Sequence, residues 1–270
     1  MSFKSNKRKG KAGLLLLFFM SVNFCYGQFP YALSSKVDYC LIGLGAVSLT
    51  AGQIISSNNP ILTVDQINNL DPNAVNSFDR NTIFNYSESS NTLSEALLIG
   101  TGLSSLTLLL DKSIRKEWAT VGVMGVEVLM VTYGLASVTK GTSLRARPYA
   151  YNPAVSNVRK QNRDARYSFY SQSTAATAGI SFFAARVFSD THPNSKWKPL
   201  IWTGAAILPM VTGWAKIDAG EHFKTDVIIG YAMGALTGYF IPVLHLQKDT
   251  TKAKVSLEPS FNGLALRVVF

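Results

Sequence analysis

The chain has 270 residues, 47 % of them hydrophobic and only 16 % charged, and its 26 Lys and Arg against 16 Asp and Glu give a net charge of +10. That charged share is well below the roughly 25 % usual for soluble domains, which excludes a disordered chain and argues against a nucleic-acid partner. A mean hydropathy of only +0.14 also excludes an oily transporter throughout, and leaves a helical protein in or against a membrane.

Residues 1–27 read as a signal peptide. Lys4, Lys7, Arg8, Lys9 and Lys11 form a basic stretch, residues 14–20 a short apolar one, and Cys25-Tyr26-Gly27 an acceptable cleavage site. The apolar run is short for a bilayer span, and an uncleaved anchor helix is the alternative. After cleavage Cys40 would be the only cysteine, so no intrachain disulfide is expected, and no zinc site or thiol nucleophile is suggested.

Six apolar segments follow, near 39–57, 93–110, 117–139, 168–188, 198–215 and 224–244, and their length and composition predict helices. Uncharged stretches at 96–110, 167–185, 199–215 and 227–245 reach the lower edge of transmembrane length. Gly230, Gly234 and Gly238 recur every fourth residue in the last segment, which permits close helix approach. The alternative is a soluble bundle of buried helices. Two long polar connections separate the segments. Residues 58–92 are rich in Asn and Ser and show no catalytic pattern. Residues 140–167 hold seven basic residues against a single acid, Asp164. Weak alternation from 255 to 270 predicts a strand or hairpin. The expected organisation is thus a signal peptide (1–27), an N-terminal helix and polar loop (28–92), a helical domain (93–248) and a C-terminal tail (249–270).

Short loops make neighbouring helices antiparallel, so the end of the third, the start of the fourth and the junction of the fifth and sixth share one face of the bundle. That face gathers Lys140, Arg147, Ser171, Lys216, His222 and Asp226. An arginine fork and lysine point charges suit a dianionic phosphoryl group. His222 and Asp226, four apart, lie on one helix face. The carboxylate can fix one ring nitrogen and leave the other as a nucleophile.

Lys140-x6-Arg147-Pro148 matches the first motif of a known superfamily, KxxxxxxRP, a pattern expected by chance in about 3 % of chains this long. Lys216-x5-His222-x3-Asp226 matches its third motif, SRxxxxxHxxxD, with Ala215 and Lys216 in place of Ser-Arg. On these residues the chain resembles the phosphatidic acid phosphatase type 2 and vanadium haloperoxidase superfamily over roughly residues 93–245. The resemblance implies an all-α fold, a six-helix bundle that is membrane-embedded or membrane-associated. It implies metal-independent hydrolysis of a phosphorylated lipid or small phosphate ester, with no cofactor. His222 would be the nucleophile, Asp226 its orienting partner, and Lys140, Arg147, Ser171, Gln172 and Lys216 would hold the phosphate. Location in a bacterial cell envelope, with the site facing the periplasm, is implied as well.

The second motif departs. The family's PSGH is Tyr170-Ser171-Gln172-Ser173 in this chain. In the family that histidine protonates the leaving oxygen, and the hydroxyl of Ser173 is too weakly acidic to do so. Loss of a general acid costs about 10²–10⁴-fold in rate. Two readings follow: an enzyme that prefers diphosphates, whose leaving group needs less help, or a weak or inactive relative that binds phosphorylated lipid. Asp164, Glu221 and His192 are the candidate replacements for the missing acid.

Overall fold

The computed structural model describes residues 29–247 and two strands, 254–260 and 263–269; the expected signal peptide lies outside the described residues. Six long helices dominate: α1 (Ser35–Asn58), α2 (Glu88–Ser105), α3 (Trp118–Ser143), α4 (Gln172–Thr191), α5 (Lys198–Asp218) and α6 (Lys224–Leu244). The tail forms the expected hairpin, β1 (Lys254–Ser260) antiparallel to β2 (Gly263–Val269), with Lys254 opposite Val269 and Ser260 opposite Gly263. The all-α bundle predicted from the apolar segments is the architecture observed.

Five of the six helices are long and apolar enough to cross a membrane. The exception is α4. It is enclosed by its neighbours rather than by lipid, and Thr174, Ala175, Ala176, Thr177, Ala178 and Gly179 are all buried in sequence. Small side chains let the surrounding helices close on it. Added Cβ atoms at Gly230, Gly234 and Gly238 of α6 would fall 2.5, 2.0 and 2.3 Å from carbonyl oxygens of Ser171, Ala175 and Gly179, so α6 presses backbone to backbone against α4. Elsewhere the bundle shows apolar side chains outward: Leu44 and Val47 on α1, Ile99 and Leu103 on α2, Ile207 and Met210 on α5, Leu236 and Phe240 on α6. Exposed Trp197 and Trp214 stand 17 residues apart at the two ends of α5, about 26 Å at 1.5 Å per residue, close to a hydrocarbon thickness. Interfacial tryptophans at that separation suit a bilayer.

The helices alternate in direction. One end of the bundle collects the C-termini of α1, α3 and α5 with the N-termini of α2, α4 and α6. At the other end the chain's first and last described helical stretches meet: Tyr31 pairs with Leu246, and Gln247 N donates to Pro30 O at 2.9 Å. Both polar connections lie at the first end and are more ordered than composition suggested. Residues 58–92 contain short helices at Val64–Asn68 and Ser77–Arg80, and residues 140–167 contain Pro148–Tyr151 and Asn157–Lys160.

Candidate active site

Helix α3 stops where Leu144 takes a left-handed conformation, and the chain runs on extended through Arg145 and Arg147 to Pro148, which opens the next short helix. From α5 the chain turns at Gly220, whose φ is +69° and whose missing Cβ would sit 2.1 Å from Asn85 O, so glycine is required there on both counts. The turn delivers Glu221 and His222 to the mouth of a cavity of about 450 Å³. Lys140, Arg147, Asp164, Gln172, Ser173, Lys216, Glu221 and His222 line it, together with Asn91, Glu95, Tyr133 and Arg159.

His222 is buried, and its Nδ1 lies 2.6 Å from the carbonyl oxygen of Ser168. A carbonyl only accepts, so Nδ1 carries the proton and the neutral ring keeps its lone pair on Nε2, which has no hydrogen-bond partner among the described residues. Burial, reinforced by the charges of Arg147 and Lys140, pushes the ring's pKa down to about 4. A neutral imidazole with a free Nε2 is a competent nucleophile at neutral pH. Around it, Lys140 Nζ donates to Tyr167 O at 3.1 Å and Lys216 Nζ to Asn91 Oδ1 at 2.7 Å. Arg147 is held by Asp164 and Glu221: Nε donates to Asp164 O at 2.9 Å, Nη2 to the Asp164 carboxylate at 2.7 Å, and Nη1 to the Glu221 carboxylate. Arg159 supports Glu221 at 2.6 Å.

Behind the histidine lies a second, closed network. Asp226, fully buried, accepts from Arg145, from Ser168 Oγ and, at 2.9 Å, from the Phe223 amide that begins its own helix. Arg145 reaches on to Asp79 at 2.8 Å. Burial alone would raise Asp79, but hydrogen bonds from Thr225, Arg145 and Asn76 outweigh it and hold the carboxyl below its usual range.

Residues 122–249 match the PAP2 superfamily. That match spans just under half of the chain. A lipid A 4'-phosphatase of Porphyromonas gingivalis is 26 % identical over 141 residues, 52 % of this chain and 56 % of the relative, so the chain spans only about half the length of that curated protein. A transmembrane PAP2-type phosphatidylglycerolphosphate phosphatase from Bacillus subtilis aligns over 76 % of this chain and 96 % of its own, at 17 % identity and a TM-score of 0.45.

Two expected contacts of the PAP2 motifs differ in this fold. The Ser171 hydroxyl does not reach the cavity: it is buried and pairs with Thr174 at 2.8 Å, because α6 holds the start of α4 through Ser171 N and Asp226 O. Asp226 is not the group nearest the His222 ring. Its Oδ2 is 3.8 Å from Nδ1, and the Ser168 carbonyl stands in the orienting place, itself steadied by the Ser168 hydroxyl on Asp226. Of the candidate replacements for the missing acid, His192 sits at the far end of the bundle beside Asp111, at 3.2 Å. Asp164 is held below the usual carboxylate range because Arg147 and Lys140 outweigh its desolvation, and Glu221 is engaged by two arginines. Arg145, one of the seven basic residues of the 140–167 connection, points away from the cavity to Asp79 and Asp226. Sequence reasoning missed Asn91, Glu95, Tyr133 and Asp79; Asn91 meets Lys216 125 residues away, and Asp79 meets Thr225 146 residues away.

Proposed function

We propose that this membrane-embedded PAP2 protein hydrolyses a phosphorylated lipid through a phosphohistidine at His222. The observation that carries the reading is the fixed tautomer: Ser168 O holds Nδ1–H, which leaves Nε2 as the free lone pair, and His222 lines a cavity rich in cations. In the first step the Nε2 lone pair forms the N–P bond while the bond from phosphorus to the leaving oxygen breaks. Water then attacks phosphorus and gives up a proton to solvent, the N–P bond breaks, and the electron pair returns to Nε2. Lys140, Arg147 and Lys216 balance charge on the phosphoryl oxygens. With serine at 173, solvent must supply the leaving-group proton. A phosphate leaving group tolerates this better than an alkoxide, so a lipid diphosphate is the favoured substrate.

The site end of the bundle is opposite residues 29 and 247. A periplasmic site therefore puts residue 29 on the cytoplasmic side, and this favours retention of the basic 1–27 segment over its cleavage.

Phosphate release by detergent-purified protein from a lipid diphosphate and a lipid monophosphate tests the proposal. Diphosphate turnover should exceed monoester turnover by about 10²-fold, the scale of a missing general acid. His222→Ala should abolish both, and Ser173→His should raise the monoester rate. Equal rates on the two substrates would sink the diphosphate preference. A silent native protein that gains activity with Ser173→His would identify a lipid-phosphate binder, the reading that Ser173 itself favours.

A further inference from the structure

At the end of the bundle away from the phosphate cavity, three helices bring together Asp38 from the first turn of α1, Glu127 from α3 and His245 at the close of α6. His245 Nε2 lies 2.9 Å from Asp38 Oδ1 and 3.3 Å from Glu127 Oε2, and one ligand atom from each residue falls within 4.8 Å of the other two. His245 Nδ1 is 2.9 Å from Ile241 O, which can only accept, so Nδ1 carries a proton and the neutral ring turns its Nε2 lone pair toward the two carboxylates. With the ring neutral, three electron-rich atoms face one point, and a cation among them would balance their charge.

Glu127 supplies the independent sign. It is fully buried beside Met124 and Val128, and neither carboxylate oxygen has a hydrogen-bond donor. A carboxylate so placed is costly unless a cation neutralises it. We propose that Asp38, Glu127 and His245 form a divalent-metal site, suited to Zn²⁺, that clamps α1, α3 and α6 together. One imidazole and two carboxylates form a ligand set that zinc accepts. With bonds of about 2.0–2.1 Å, tetrahedral ligand atoms stand about 3.4 Å apart, near the spacings observed. The hydrogen bond from Nδ1 to a backbone carbonyl is the usual way a metal-bound histidine is oriented. The segment before α1 closes over the cluster, where Ala32 N donates to His245 O at 2.9 Å.

Glu127 and Lys140 are 13 residues apart on α3, about 20 Å along its axis, so the clamp is separate from the phosphate chemistry. Composition and cysteine count gave no hint of it, because its ligands come from positions 38, 127 and 245.

The test uses detergent-purified protein without a histidine tag, stripped by chelator and titrated with Co²⁺ and then Zn²⁺. One equivalent of Co²⁺ should bind with visible d–d bands, Zn²⁺ should displace it, and Zn²⁺ should raise the unfolding temperature. His245→Ala and Glu127→Gln should abolish the bands. Asp38→Asn, at a partly exposed position in the first turn of α1, should also lose them if either of those variants fails to fold. Folded native protein that gives no Co²⁺ bands overturns the proposal and leaves a protonated His245 between the two acids. Stoichiometric metal binding that survives all three substitutions overturns it equally.

Discussion

Arg145 and Arg147 stand two residues apart on either side of Ala146, yet their side chains serve opposite faces of His222. Arg145 points behind the histidine, to Asp79 and Asp226, and stacks over the Phe223 ring at 4.2 Å. Arg147 points to the cavity, to Asp164 and Glu221. The pairing chemistry is the same, and the partners' surroundings decide the difference. Both carboxylates on Arg145 are wholly buried with no cation to replace it. Asp164 is 47 % exposed and Glu221 has Arg159 as a second partner. The rear centre is therefore a fixed wall. The front one can release a carboxylate to water or to Arg159 and accept a phosphoryl group in its place.

The widest separation between the two centres should come from removing each arginine. Arg145→Ala strands two buried carboxylates and should cost about 3–5 kcal/mol of stability, read as thermal unfolding in detergent. Arg147→Ala should unfold closer to the native temperature but lose about 10²–10³-fold in phosphate release, the scale of one lost transition-state donor. If the two variants lose the same stability, the division into wall and exchangeable centre fails. A smaller effect should follow from Glu221→Gln, which removes one of the carboxylates competing for Arg147. Orthophosphate should then inhibit more tightly, by roughly threefold to tenfold, as charge-assisted pairing to the phosphate meets less competition. Unchanged or weaker inhibition would mean that Arg147 stays with its carboxylates when the ligand binds.

The front centre was more legible in the sequence than the rear. Lys140, Arg147, Lys216 and His222 carry their signal in residue type and spacing, and the fold brings all four to one cavity. The six helices were legible as well, because lipid-facing surfaces demand long apolar runs. The wall left almost no trace. Asp79 sits in an Asn- and Ser-rich connection, and its meaning comes from Asn76, which caps the short helix at 77–80, and from Thr225, 146 residues away. The hydrogen-bond partner of His222 Nδ1 is the Ser168 main-chain carbonyl, and a main-chain atom has no residue-type signature. The i, i+4 spacing of His222 and Asp226 did predict a shared helix face. It could not predict that Arg145, Ser168 and Phe223 would occupy the carboxylate first.

The closed wall has a last, small consequence in pH. A histidine open to water titrates near 6.5, and between pH 7 and pH 5 its neutral fraction would fall about 25-fold. His222, with its ring pushed down to about 4, stays neutral across that interval. Once the substrate's own ionisation is allowed for, kcat/KM, which reports the free enzyme, should change less than about twofold from pH 7 to pH 5. It should then fall as the pH approaches 4. Stability has its own order. The unfolded ring binds a proton below about 6.5 and the folded ring only near 4, so His222 makes the fold progressively less stable on acidification between those values. Asp79 and Asp164, held below the ordinary carboxylate range, stabilise the fold above that range and lose their contribution only as the pH falls through their lowered values. Acid should therefore erode stability first through the histidine and later through the acids, while the activity of the surviving fold stays flat. A kcat/KM profile that breaks near 6.5 instead would show that water reaches the His222 ring, and that the centre behind it is no more closed than the one in front.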